Sequence, residues 1–157
     1  MASISVNFKG SNTLQQKINL VSGTIRLHFG NGVHNSGYTY KQLAMMLSHG
    51  FSSELNGRDY EIPARPIFVA FTKEYKEDII QIIKDSYKFR FKRVKVNEQF
   101  TIVANKIKVL AVTALLTGNI PITPDNAKAY KAKKGNLPPW VLTGELVESL
   151  EAEYVRK

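Results

Sequence analysis

Residues 23–30 read Gly-Thr-Ile-Arg-Leu-His-Phe-Gly. Ile25, Leu27 and Phe29 alternate with Thr24, Arg26 and His28, so an extended chain places the three apolar side chains on one face and the polar ones on the other. Gly30-Asn31-Gly32 then reads as a turn. A strand with one apolar face needs a second layer to cover it. Ser3–Phe8 repeats the alternation more briefly, and Leu150–Val155 reads as an edge strand. The segments between supply helices.

The first helix runs from about Thr39 to Ser48, after an Asn35-Ser36-Gly37 turn. Thr39 is its N-cap, Leu43, Met46 and Leu47 form its apolar face, and Gly50 closes it. From a start between Ile67 and Thr72, apolar residues recur at three- and four-residue steps through Tyr75, Ile79, Ile82, Ile83, Tyr87, Phe91 and Val94, which predicts a helix to about Lys95. A further helix follows Asn97, with Phe100, Val103, Ala104, Ile107, Leu110, Ala111 and Ala114 on one face and Gly118-Asn119 as its stop. The two can join as one bent rod. Thr123-Pro124 opens a short helix that ends at Gly135, and Thr143-Gly144-Glu145-Leu146 opens another turn of helix. The fold class expected is α+β, a small antiparallel sheet packed with a long helix or helix pair and short C-terminal helices.

A length of 157 residues at 43% hydrophobic content fits one domain over 1–157, with residues 1–22 a separate arm or an extra strand. The chain contains no cysteine, which excludes disulfides and thiolate chemistry and suits a reducing compartment. The N-terminal Met-Ala-Ser-Ile-Ser-Val-Asn-Phe-Lys stretch has no signal-like apolar core, and no apolar run long enough for a membrane span is expected.

Charge is more directive. Twenty-two Lys and Arg against 13 Asp and Glu give a net charge of +9, which favours anionic partners. Residues 84–95 carry six basic side chains and one acid, and residues 128–134 carry four lysines and no acid, whereas Glu145, Glu148, Glu151 and Glu153 crowd the C-terminal stretch. Lys88, Arg90, Lys92, Arg93, Lys131, Lys133 and Lys134 are therefore the candidate electrostatic or DNA-facing residues. Tyr87, Phe89 and Phe91 interleave with the cations, a pattern that stacks single-stranded bases. On a helix, however, Tyr87 and Phe91 continue the core stripe, which leaves the cations as a solvated flank able to meet phosphates without reading bases.

Groupings suited to catalysis are sparse. His28, His34 and His49 lack metal-ligand spacing, no Gly-Lys-Ser/Thr follows the Gly-rich turn, and the carboxylates near the C-terminus lack an apolar pocket to split their pKa values. The expectation is no enzyme, no catalytic, cofactor-binding or metal-binding residues, no cofactor and no small-molecule substrate.

In Ile62-Pro63-Ala64-Arg65-Pro66-Ile67-Phe68 two prolines fix φ and bias the residues before them towards extended backbone, so the segment reads as a stiff connector. Arg65 either reaches a carboxylate or carbonyls on a neighbouring molecule or ties the connector to its own helix.

The order of these elements resembles a known group. The strand Thr24–Phe29, the Gly/Asn turn, the helix Tyr40–His49, the Ile-Pro-Ala-Arg-Pro connector, the long helical stretch, Ile122-Thr123-Pro124-Asp125-Asn126, Pro138-Pro139 and Leu142-Thr143-Gly144-Glu145-Leu146 are similar to minor virion proteins of tailed bacteriophages, the neck and tail-completion group also known as virion morphogenesis proteins. The resemblance covers roughly residues 23–155. Leu142 stands where many members have Asp before the Thr-Gly pair. It implies a virion subunit made in the host cytoplasm, non-enzymatic, forming a homo-oligomeric ring at the head–tail junction or tail end. Its partners would be copies of itself, neighbouring neck and tail proteins and, non-specifically, packaged DNA. Ile62, Pro63, Ala64, Arg65, Pro66, Phe68, Thr143, Gly144, Glu145 and Leu146 are then the candidate inter-subunit contacts. The alternatives are a sequence-independent nucleic-acid-binding protein and a small protein-binding adaptor domain.

Overall fold

The structure is a computed structural model that describes residues 3–8, 23–55, 58–89, 96–121 and 144–156. Strand β1 (Ser3–Phe8) lies antiparallel to β2 (Gly23–Phe29), and β2 lies antiparallel to β5 (Leu150–Arg156), giving a three-stranded sheet of order β1-β2-β5. The alternation that defines β2 is realised: Ile25, Leu27 and Phe29 are buried, Arg26 is exposed and His28 is half-buried. Thr24 departs from the pattern, because it is buried as well. The class is α+β.

Helix α1 (Tyr40–His49) is set by its cap. The Thr39 hydroxyl accepts the Gln42 N–H at 3.2 Å, and the Gln42 side chain accepts the Thr39 N–H at 2.9 Å, so two of the free N–H groups at the helix start are satisfied reciprocally. The helix ends at Gly50, whose φ of 75° is one that L-residues with a side chain rarely adopt. A Cβ there would also come within 2.8 Å of the Ile62 carbonyl oxygen and the Ala64 nitrogen.

After Gly50 the chain forms a hairpin that the sequence reading did not anticipate. β3 (Phe51–Leu55) pairs antiparallel with β4 (Arg58–Ile62), from Phe51 with Ile62 to Leu55 with Arg58. Only Asn56-Gly57 lies between the paired ends, and Asn-Gly between strands is the strongest short-range signal for a two-residue hairpin loop.

The predicted long helix is divided. α2 (Ile67–Glu74) and α3 (Lys76–Phe89) are separated at Tyr75, whose φ of −101° and ψ of 21° leave the helical region. The break is shallow, because the Tyr75 N–H still reaches the Phe71 carbonyl and its own carbonyl still accepts the Ile79 N–H. α4 (Val96–Leu116) starts one residue before the expected cap at Asn97, and Gly118 follows its end at φ 71°. α5 (Glu145–Glu148) is a single turn leading into β5.

The core lies between the apolar face of the sheet and α4. Phe100, Val103, Ala104, Ile107, Ala111 and Ala114 of α4 are buried, as the spacing predicts, Leu110 of the same predicted face is half-buried, and the helix packs on β5, β2 and α3. Phe29 meets Phe68 at a ring separation of 5.4 Å, and Phe100 stacks on Tyr154 at 4.8 Å, so sheet, α2 and α4 share one cluster. By length and composition Glu98–Leu116 also meets the requirement for a membrane span, contrary to the sequence reading. In the fold this segment is the central core helix.

Candidate assembly surface

The connector is anchored to the body of the molecule. The Arg65 N–H donates to the Leu47 carbonyl at 2.9 Å, which joins the segment before α2 to the last turn of α1. The Arg65 residue is 9% exposed, and Phe68, likewise 9% exposed, belongs to the core. Of the two readings open for Arg65, burial favours the one internal to the chain: a guanidinium is removed from water only where its own fold supplies compensating interactions. Ile62 and Pro63 are half-buried, while Ala64 and Pro66 are exposed. The exposed part of the connector is therefore Ala64 and Pro66, while Arg65 and Phe68, two of the expected inter-subunit contacts, are buried within their own chain.

At the other end, Gly144 adopts φ 81° immediately before α5, a conformation open to glycine, and the turn brings Leu146 and Val147 into the core. Leu146, one of the expected inter-subunit contacts, is therefore packed in the core of its own chain. Glu145 is half-exposed and points towards the loop before α1. The Asn35 amide donates to its Oε1 at 3.2 Å, and the Tyr40 hydroxyl approaches its Oε2 at 3.5 Å. His34 Nε2 lies 3.9 Å from the same Oε2. The Ser36 N–H donates to His34 Nδ1 at 3.1 Å, which assigns Nδ1 as the acceptor and places the neutral ring's proton on Nε2, facing the carboxylate. Desolvation, followed by the charges of Glu145 and Glu148, raises the Tyr40 phenol above its ordinary pKa. The group is a polar latch fastening the loop at residues 31–39 to the start of α5. Thr143 lies outside the described residues.

The carboxylates that follow are matched at home. The register of β2 on β5 sets Arg26 opposite Glu153 and His28 opposite Glu151. Their side chains meet at 3.5 Å and 3.6 Å. Three of the four acids that crowd the C-terminal stretch, Glu145, Glu151 and Glu153, thus have partners in their own chain. Of the basic candidates, Lys88 falls in α3 with its side chain outside the description, and Arg90, Lys92, Arg93, Lys131, Lys133 and Lys134 lie outside the described residues altogether. Among the described residues no group of three His, Cys, Asp or Glu side chains could hold a metal ion.

Sequence reasoning missed one feature of the surface. On the side of α4 opposite the core, Ile102, Val109 and Leu116 recur at seven-residue spacing and are 53%, 62% and 49% exposed. The spacing was legible, since seven residues is nearly two turns, but the stronger run through Phe100, Val103 and Ala111 claimed the helix for the core. Comparison with known protein families, with curated proteins and with solved structures finds no match for this chain.

Proposed function

We propose that the chain is a non-enzymatic structural subunit of a tailed-bacteriophage virion, assembling with copies of itself into a ring at the head–tail junction or tail-completion region. The observation that carries the assembly reading is the second apolar stripe of α4. A helix apolar on both sides has one side covered by its own sheet, and Ile102, Val109 and Leu116 on the other give up favourable burial until another surface covers them. The virion setting is supported by the order of motifs from Thr24 to Leu146. The exposed Ala64 and Pro66 of the connector supply a stiff outer edge that loses little freedom on docking.

The test has two arms. Light scattering on the purified chain, across concentration, is expected to show closed higher-order assembly that Val109→Lys abolishes without lowering the melting temperature. Purified particles of the phage encoding the chain are expected to contain it. A monomer at every concentration, together with absence from the particles, overturns the reading. Salt-sensitive DNA binding tighter than the non-specific range of about 10⁻⁴ to 10⁻⁶ M would instead favour a nucleic-acid-binding protein.

A further inference from the structure

The β3–β4 hairpin differs in kind from the rest of the fold. Among the described residues no other helix or strand packs extensively against it, and it lies in the chain between Gly50 and the connector. Residues directly opposite in an antiparallel pair share a face, so the register divides the hairpin in two. Phe51, Ser53, Leu55, Arg58, Tyr60 and Ile62 occupy the register positions of one face. Ser52, Glu54, Asp59 and Glu61 occupy the other, and all four are exposed.

That second face holds three acids and no cation, and Glu54 stands directly opposite Asp59. Like charges facing each other across a ladder destabilise it, and a two-stranded hairpin is marginal even without them. The hairpin carries this repulsion in a chain that is otherwise strongly cationic, with a net charge of +9. By contrast, the cross-strand acids of β5 each face Arg26 or His28. The positive excess elsewhere on the chain is opposite in sign to this face.

Resting on the proposal that copies assemble, we infer that the β3–β4 hairpin is the docking arm of one copy, its acidic face seated on a lysine- and arginine-bearing surface of the next. The donor arm and the receiving surface are different parts of the molecule, so the contact is head-to-tail and repeats, and such contacts close into rings when the rotation permits. Charge complementarity sets the register and accelerates encounter.

The experiment mixes isotopically light and heavy full-length chain, couples carboxylates to amines with a zero-length carbodiimide, and reads light–heavy cross-linked peptides by mass spectrometry. Cross-links from Glu54, Asp59 or Glu61 of one copy to lysines of another are expected. The triple variant Glu54→Lys, Asp59→Lys, Glu61→Lys, which alters only exposed side chains, is expected to melt as the parent does and to lose self-association by about tenfold or more. Added to the parent in equal amount it should shorten the assemblies, because it still receives an arm but offers none. Assembly of parent and triple variant alike, with cross-links only elsewhere, overturns the docking arm and leaves the assembly reading standing. A monomer with no intermolecular cross-links overturns both.

Discussion

The sheet and the hairpin are built by the same local rules and end in opposite conditions. Both are antiparallel, and in both the register gathers most apolar residues at the positions of one face and carboxylates at those of the other. In the sheet the apolar face is covered by α4, and on the other face Arg26 pairs with Glu153 while His28 lies beside Glu151. In the hairpin no element among the described residues gives extensive cover, and the directly opposed Glu54 and Asp59 have the same sign. Register alone therefore does not stabilise a ladder: β2 and β5 are complementary within the chain, and β3 and β4 leave their complement to be found elsewhere.

The contrast can be broken hardest at the sheet. Phe29 is almost fully buried against Phe68, and Phe29→Ala should cost about 3–5 kcal/mol in denaturant melts, whereas Glu54→Ala in the hairpin should leave the midpoint nearly unchanged. A small loss at Phe29 would mean that the sheet is not the centre of the cooperative unit. Gly50 tests the joint between the two regions. Gly50→Ala forces a side chain onto φ 75° and against the Ile62 carbonyl, and a loss of about 1–3 kcal/mol is expected. An unchanged melt would show that the joint yields freely and that the hairpin is only loosely tied to the body.

Charge substitutions should move stability by less and with opposite sign in the two regions. Arg26→Glu replaces attraction by repulsion and should destabilise, while Glu54→Lys does the reverse and should stabilise, each by about 0.2–1 kcal/mol, since the sites are exposed and screened. Both effects should fade in high salt. If both substitutions destabilise, the acidic face is already satisfied within the chain. The smallest effect belongs to the latch and is silent at neutral pH. The Tyr40 phenol has a folded pKa raised above its ordinary value of 10.0, so the fold favours the neutral form. That contribution is fully present below pH 10 and is lost as pH rises through the folded pKa. Thermal melts above pH 10 should therefore fall more steeply for the parent than for Tyr40→Phe, and parallel curves would remove Tyr40 from the latch.

Local signals carried most of the sheet and helices. Alternation at Ile25, Leu27 and Phe29, the Thr39 cap with Gly50 as stop, and the three-and-four spacing from Phe100 to Ala114 each act within a few residues, and each element formed. The hairpin was also written locally, in Asn56-Gly57, but the prolines just beyond drew the reading to a connector with a polar lead. The division at Tyr75 had no signal, because Tyr75 continues the apolar spacing and the break is a backbone adjustment of one residue. The surface was the least legible part. Whether Glu145 is a solvated acid or the partner of Asn35 and Tyr40 depends on contacts more than a hundred residues apart in sequence. Arg65 likewise reads the same in a one-dimensional pattern whether it faces a neighbour or its own fold.

The position of β2 bears on how the molecule comes into being. Its two neighbours are β1, which precedes it, and β5, which begins at Leu150. During synthesis at about 5–20 residues per second, β2 is complete while its second partner and the helix that covers Ile25, Leu27 and Phe29 have yet to be made. For that interval the nascent chain presents an apolar strand with one open edge, and pairing of such distant segments is the slow step in folding. A chain released before Leu150 would keep that edge open for good, so premature termination should yield aggregates in place of a shorter soluble subunit.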